Sequence, residues 1–552
     1  MVLRPSSLLF LPAALVTTLA TFIFWRWLGA PVTLPDVPGG RLHCLSYTPF
    51  EPGHIGATTP GWTSDARIVD DLRRLAPYTD CLRVYTPLGS TPRVVESASR
   101  MGFRILLGAW IGSDLNQNEK EIRGALDLAR RYPQTVSAIV VGNEVLLRRE
   151  MSGPKLAALI RDVKEQSPVP VAYADVAHFI ENSPPVAEAA DLLLIHLLPY
   201  WDDPEPPPVE TAAGQVIRIY QEFCARFPGK DVWIGETGWP SKGRTRGPGR
   251  PGRVNQARFV REFAASAAAA GIRYNLIEAI DQPWKRPPEG TVGGYWGILD
   301  EWREPKFPLQ GPVSGWPRWR AQFVATAAVT FIMLIAGLRR RLPPWGWTGW
   351  SAASLALGLA LTFQWEFVAA TSQSVWGYIG GAIAAALSVA AAGLLGARAA
   401  GSARTPAASL ADLGRALRTP LPILRASPLR LAAFLAMVIL PAAWISLTLA
   451  FAPRHRDIPI AQFALPALAL AACFTGSFRV AGGERREEAV LAALLLACGL
   501  MQFEPANPET IAWLAICALL ALPWLGALRG ELARVWRILA HPRQAQQRDE
   551  HG

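Results

Sequence analysis

Two glutamates, Glu144 and Glu236, each stand directly after an apolar run and beside glycine. They lie in Val141-Gly142-Asn143-Glu144 and Trp233-Ile234-Gly235-Glu236-Thr237-Gly238-Trp239-Pro240. A carboxylate at the end of a buried strand loses hydration at a cost, unless it is paired or used. One such residue alone reads equally well as a loop salt bridge or a helix cap. Two of them, each at a strand end and facing one bowl, suit a specific chemistry. Carboxyl groups about 5 Å apart, one ionised and one protonated, cleave a glycosidic bond with retention of configuration. The ionised group attacks the anomeric carbon; the protonated one protonates the leaving oxygen and later takes a proton back. Staying protonated requires a raised pKa, from a neighbouring carboxylate or from partial burial.

The elements that must carry these residues follow from hydrophobic patterning. Between 36 and 310, short β-like runs occur at 42–47, 81–86, 103–109, 137–143, 169–174, 191–197, 231–236 and 274–280. Helical stretches separate them, among them 65–77, with Ser64 as its N-cap, and 254–270. Eight apolar strands alternating with helices predict an α/β fold, a closed (β/α)8 TIM barrel. An open doubly wound sheet is the alternative; no GxGxxG follows the first run. In such a barrel chemistry sits where strands end. The fourth run ends at Glu144 and the seventh at Glu236.

Aromatic residues fall at or just beyond the same strand ends: Tyr47, Tyr85, Trp110, Tyr200, Trp201, Trp239 and Trp284. Ring faces stack on sugars while polar tips hold hydroxyls, so the set predicts a sugar path. Asn143 is placed to bond a sugar 2-hydroxyl. His43, His54, His178 and His196 have no metal-ligand spacing, so neither metal nor other cofactor is expected; His196 reads as a hydrogen-bonding group at the barrel mouth. Cys44 and Cys81 lie on the first two strands, as a disulfide or as two core thiols. The segment 242–253 (KGRTRGPGRPGR) reads as a mobile solvated loop.

Composition divides the chain. Hydrophobic residues make up 51% and charged ones 18%, too apolar for disorder. The net charge is +11, yet 31–310 is almost neutral, with 32 basic and 33 acidic residues. The excess arginines flank apolar runs, which excludes a nucleic-acid partner. The run 7–24 reads as an uncleaved anchor. Further runs at 321–337, 347–364, 375–397, 431–451, 460–478, 488–502 and 510–528 approach membrane-spanning length. Alternate loops carry 17 arginines on one side and only Arg454 and Arg456 on the other, a positive-inside pattern. The expected organisation is a stub and anchor over 1–30, an extracytoplasmic barrel over 31–317, seven spans over 318–528 and a basic cytoplasmic tail over 529–552. Both termini are then cytoplasmic and the lipid bilayer is a partner.

The two glutamate motifs resemble the signatures of glycoside hydrolase family 17, the β-1,3-glucanases and related glucanosyltransferases. The stretch Glu278-Ala279-Ile280-Asp281-Gln282-Pro283-Trp284-Lys285 is similar to the pattern of the fungal members, and Trp296-Gly297-Ile298-Leu299-Asp300 resembles their closing motif. The resemblance covers about half the chain. It implies a retaining mechanism with Glu144 as acid/base and Glu236 as nucleophile, β-glucan as substrate, and Glu278, Trp284 and Lys285 on the substrate side. Gln282 departs from the family, which usually has Glu there. The architecture as a whole resembles bacterial membrane-bound β-(1→6)-glucan synthase proteins. That implies an inner-membrane location, a periplasmic catalytic domain and a glucan synthase complex as a further partner. No Asp-x-Asp motif for a metal-bound nucleotide-sugar donor occurs, so transglycosylation is the expected reaction, with hydrolysis or an inactive glucan-binding or export module as alternatives.

Overall fold

The computed structural model describes residues 8–51, 63–340, 342–401, 408–418, 427–474 and 485–540. His54 and the loop arginines Arg341, Arg404, Arg425, Arg479, Arg543 and Arg548 lie outside the described residues. The chain forms two compact units, Pro31–Gly315 and Met1–Ala30 with Trp316–Gly552.

In the first unit, β1 (Pro31–Val32) pairs antiparallel with β10 (Val313–Ser314) and joins the two ends of the domain. Between them run β2 (Leu45–Ser46), β3 (Cys81–Val84), β4 (Arg104–Ala109), β5 (Val136–Asn143), β6 (Val171–Val176), β7 (Leu192–His196), β8 (Asp231–Thr237) and β9 (Tyr274–Leu276). They close in sequence order, with β9 parallel to β2. This is the (β/α)8 TIM barrel that the alternating runs predict. The connecting helices are α2 (Asp65–Leu75), α3 (Thr91–Met101), α4 (Leu115–Arg131), α5 (Gly153–Gln166), α6 (Ala177–Glu181), α7 (Pro184–Ala189), α8 (Val209–Arg226), α9 (Arg253–Ala269) and the single turn α10 (Arg286–Glu289).

Local chemistry explains these elements. Ser64 caps α2 by accepting from the Arg67 amide at 3.3 Å. Ile68, Leu72 and Leu75 then recur on one face and are fully buried. Along the strands alternate residues divide between two cores. Leu106, Ala138, Val140, Ala172, Ala174, Leu192, Leu194 and Trp233 fill the interior with Cys44 and Cys81, while Ile105, Leu107, Ile139, Leu193 and Ile195 face the helices. The first and eighth runs, expected at 42–47 and 274–280, form ladders of only two and three residues. Beyond Leu276 the amides turn to other partners: Glu278 donates to Trp296 O at 3.1 Å and Ala279 to Ser46 O at 2.9 Å. Cys44 and Cys81 are joined as a disulfide. The arginine-rich 242–253 segment is held in place. Arg246 donates to Tyr200 O at 2.8 Å and to Asp203 at 2.6 Å, and Arg244 is buried.

The second unit is helical. It comprises α1 (Phe10–Leu28), α11 (Trp319–Arg339), α12 (Gly346–Thr371), α13 (Val375–Ala399), the short α14 (Leu410–Ala416), α15 (Ser427–Phe451), α16 (Ile460–Phe474), α17 (Arg486–Met501), α18 (Pro508–Ala521) and α19 (Leu525–Ala540). Among the described residues, six helical stretches are long and apolar enough to cross a membrane, including Phe10–Leu28. Of the runs expected to span, 460–478 and 488–502 correspond to α16 and α17, of 15 and 16 residues. Polar side chains tie helices together inside the unit. Trp25 Nε1 of α1 donates to Thr326 of α11 at 2.9 Å, and Thr326 bonds Thr362 of α12 at 2.9 Å.

Candidate active site

Glu144 leaves β5 in the left-handed region, with φ of 56°. For a residue with a Cβ this costs on the order of 1–2 kcal/mol. Gly142, at φ 90°, makes the turn possible; a Cβ there would sit 2.6 Å from Val145 Cγ2. The strained loop is held from β6. The Glu144 amide donates to Ala174 O at 2.8 Å. The Asp175 carboxylate accepts from the Leu146 amide at 3.1 Å and from the Tyr173 hydroxyl at 2.5 Å. Arg148 donates to Asn143 O and to Ile111 O, and its guanidinium lies 4.4 Å from the centre of the Trp110 ring.

Glu236 reaches the same mouth from β8. The ladder with β7 shifts register there, so that His196 pairs with Glu236 after Ile195 has paired with Ile234. Gly235 permits the close approach, since a Cβ would lie 2.7 Å from Leu194 Cβ. Glu236 Oε1 accepts from the Tyr85 hydroxyl at 2.8 Å and from Arg83 at 3.2 Å. Arg83 also donates to Gly235 O at 2.8 Å and to Asn143 Oδ1 at 2.6 Å. Behind Tyr85, Asn275 donates to Ser46 Oγ at 2.8 Å, and Ser46 lies 2.7 Å from the Tyr85 hydroxyl. With that hydroxyl directed at Glu236, Ser46 is the donor to it.

His196 links the two carboxylates. Its Nδ1 is 2.9 Å from Glu144 Oε1, and its Nε2 is 3.3 Å from Arg83 and 3.7 Å from Glu236 Oε1. Arginine only donates, so Nε2 accepts and the proton resides on Nδ1, directed at Glu144. One ligand atom from each of Glu144, His196 and Glu236 falls within 4.8 Å of the others. That donor set could surround a cation. Arg83, however, already supplies a fixed positive charge in contact with His196 and Glu236, so the set fits a metal ion poorly.

Burial acts to raise the Glu144 pKa, but the hydrogen bond from His196 opposes it, together with the positive charges of Arg83 and Arg148. The carboxyl is held below its ordinary value. The elevated value expected for a group kept protonated is therefore corrected, because His196 donates to the ionised form.

Other expected site residues divide into two groups. Tyr85 and Asn143 contact the core of the site as described. Trp110 is 40% exposed at the mouth, its amide bonded to Glu121 at 3.0 Å. Trp284 is half-buried and donates to Gln282 Oε1 at 2.5 Å. Gln282 in turn donates to Thr48 O at 3.3 Å, so a neutral amide serves both as donor and as acceptor where the family's Glu could only accept. Lys285 Nζ pairs with Glu278 Oε2 at 2.8 Å. Burial pushes the Glu278 carboxyl up to about 7 despite that lysine, and Oε1 has no hydrogen-bond partner among the described residues.

Tyr47, Tyr200 and Trp239 are corrections to the expected sugar path. All three are fully buried. Tyr47 donates to Asp71 at 2.9 Å, Tyr200 to Arg244 O at 2.5 Å and Trp239 to Arg250 O at 3.0 Å. Their polar tips are satisfied inside the domain, and their rings pack against core residues. Sequence reasoning missed Arg83, Asp175, Glu121 and Glu289, the last a carboxyl raised by burial and sensing both Glu236 and Glu144. Arg83 had a signal: a charged residue inside an apolar strand, in register with inward-facing Cys81. The loops after β4, β5 and β6 line a separate cleft of about 720 Å³, with Leu146, Arg149, Met151 and Phe179 among its walls and neither Glu144 nor Glu236.

Residues 44–297 match the BtgE/BtgC glycoside hydrolase domain family. The chain is an enzyme of the glycosidase and transglycosylase class, as the two glutamate motifs imply. Similar curated proteins are fungal. The "Glucan 1,3-beta-glucosidase" of Arthroderma benhamiae is 27% identical over 47% of this chain and 91% of its own length. That of Candida albicans is 27% identical over 43% and 84%. Among solved structures, an active-site mutant of Rhizomucor miehei β-1,3-glucanosyltransferase in complex with laminaritriose has a TM-score of 0.43. It is 23% identical and covers 50% of this chain and 98% of that one.

Proposed function

We propose that this protein is a membrane-anchored, retaining β-glucan transglycosylase acting on β-1,3-glucan. The observation that carries the reading is the approach of Glu144 and Glu236 to within 4.8 Å, oxygen to oxygen, across His196. That separation suits a nucleophile and an acid/base on one sugar, and leaves no room for the water an inverting pair would need.

Glu236 attacks the anomeric carbon. The glycosidic C–O bond breaks, and Glu144 gives its proton to the leaving oxygen. An acceptor hydroxyl then attacks the glycosyl ester, its proton passes to Glu144, and the Glu236 carboxylate is released. Arg83 and Tyr85 hold Glu236 in position by hydrogen bonds to its Oε1. Asn143, fixed by Arg83, offers its amide to the sugar 2-hydroxyl. Tyr85, Trp110 and Trp284 supply ring faces, and Glu278 with Lys285 supplies polar contacts to the substrate. No cofactor enters the cycle.

The helical unit anchors this chemistry to a bilayer, the inner membrane of a bacterium, with the barrel extracytoplasmic. Two features support that side. The Cys44–Cys81 disulfide belongs to an oxidising compartment, and the loop arginines concentrate on the opposite face of the spans. Trp25, buried against Thr326, favours α1 as a retained anchor. A glucan synthase complex would supply nascent chains to the site.

Incubating the full-length enzyme with a β-1,3-linked oligosaccharide of defined length tests the reading. Products longer than the substrate are expected; only shorter ones would make it a hydrolase.

A further inference from the structure

The last described helix differs in kind from the spans that precede it. A short turn at Leu522–Trp524, containing Pro523, separates α19 from α18. Helices α11 to α13 are apolar almost throughout, whereas α19 (LGALRGELARVWRILA) is divided lengthwise. Leu525, Leu528, Leu532, Val535 and Trp536 recur at helical spacing and share one face. Leu525, Leu532, Val535 and Trp536 are between 39% and 67% exposed. Off that face, Glu531 pairs with Arg486 of α17 at 3.3 Å, and Arg534 lies 3.9 Å from Glu531. Arg529 stands at the margin of the apolar stripe. From Leu525 to the end the sequence holds five arginines, Arg529, Arg534, Arg537, Arg543 and Arg548, against Glu531, Asp549 and Glu550.

We propose that α19 is an interfacial helix that lies in the plane of an anionic leaflet, not a continuation of the preceding span. Its leucines and Trp536 enter the boundary between acyl chains and headgroups, and its arginines meet lipid phosphates. Exposed apolar side chains flanked by arginines match such a surface in both hydrophobicity and charge. A helix crossing the hydrocarbon would instead place Arg529, Glu531 and Arg534 within it, where charged side chains are expensive. The proposal rests on the membrane reading of the helical unit, and the experiment separates the two.

Hydrogen–deuterium exchange of the full-length protein is compared in nanodiscs of phosphatidylcholine alone and of equal parts phosphatidylcholine and phosphatidylglycerol. The amides of 525–540 are expected to exchange several-fold more slowly in the anionic discs, with α11 to α13 slow in both. Leu532→Glu with Trp536→Glu abolishes the protection of α19, and Arg529→Gln with Arg534→Gln removes the difference between lipids. Equal exchange in the two discs overturns the proposal, as does protection that survives the glutamates. Protection that rises with protein concentration in lipid-free detergent identifies a second copy as the occupant and also overturns it. Rapid exchange of α11 to α13 in discs would sink the membrane reading, and this proposal with it.

Discussion

The barrel and the helical unit both bury polar side chains, but arrange them differently. In the barrel, Arg83, His196, Glu236 and Tyr85 come from three strand ends and converge on one point, each bonded to at least one of the others. In the helical unit the buried polar groups act in local ties: Trp25 with Thr326 and Thr362, Gln364 with Ser388 and the Ala461 carbonyl. Among the described residues the Glu144, His196 and Glu236 group is the one cluster of potential ligand side chains. Convergence assembles charge where a reaction can use it; dispersed ties fix how helices pack. The chemistry therefore belongs to the barrel, and the buried polar groups of the helical unit serve its own packing.

Substitutions can break that contrast. Glu236→Ala is expected to have the largest effect, lowering turnover by roughly 10⁴-fold while binding of a β-1,3-oligosaccharide by calorimetry persists. Unchanged turnover would remove Glu236 from the nucleophile's place. Arg83→Met removes the guanidinium shared by Glu236, Asn143 and His196. A loss of about 10²–10³-fold in kcat is expected, larger than any change in KM, with circular dichroism reporting whether the barrel persists.

His196→Gln sharpens the contrast through pH. Burial raises the Glu144 pKa and His196 lowers it, so loss of His196 leaves burial the stronger influence and the pKa rises. Because the acid works only while protonated, the alkaline limb of the kcat/KM profile should move to higher pH; a limb that stays in place or moves down contradicts the pairing. The smallest effect is expected in the helical unit. Trp25→Phe deletes one interhelical hydrogen bond, worth about 0.6 kcal/mol in comparable bundles. Thermal unfolding in detergent should shift slightly and turnover should not change. A large fall in turnover would tie the helical unit to the chemistry.

The strands of the barrel were legible because strands buried on both faces read as continuous apolar runs. The runs at 103–109, 137–143 and 231–236 differ from β4, β5 and β8 by a single residue at one end. Glu144 and Glu236 were legible because charge directly after an apolar strand is conspicuous. The supporting residues were not. Asp175 and Glu121 act on backbone amides from elements distant in sequence, and no local spacing announces such bonds. Tyr47, Tyr200 and Trp239 misled for a related reason. A ring just past a strand end can point to the mouth or tuck under a loop, and hydrophobicity is the same either way. Only packing decides, and there Asp71, Arg244 and Arg250 supply the interior partners.

The left-handed backbone at Glu144 bears on how substrate complexes would be captured. Asparagine tolerates that conformation better than most side chains. Glu144→Asn should therefore melt at a higher temperature than the parent while transfer is lost. An inactivated variant that outlasts the working enzyme on the bench would be the natural vehicle for trapping a bound glucan. It would also mean that the backbone strain at this position is tolerated for the sake of the proton transfer its carboxyl performs.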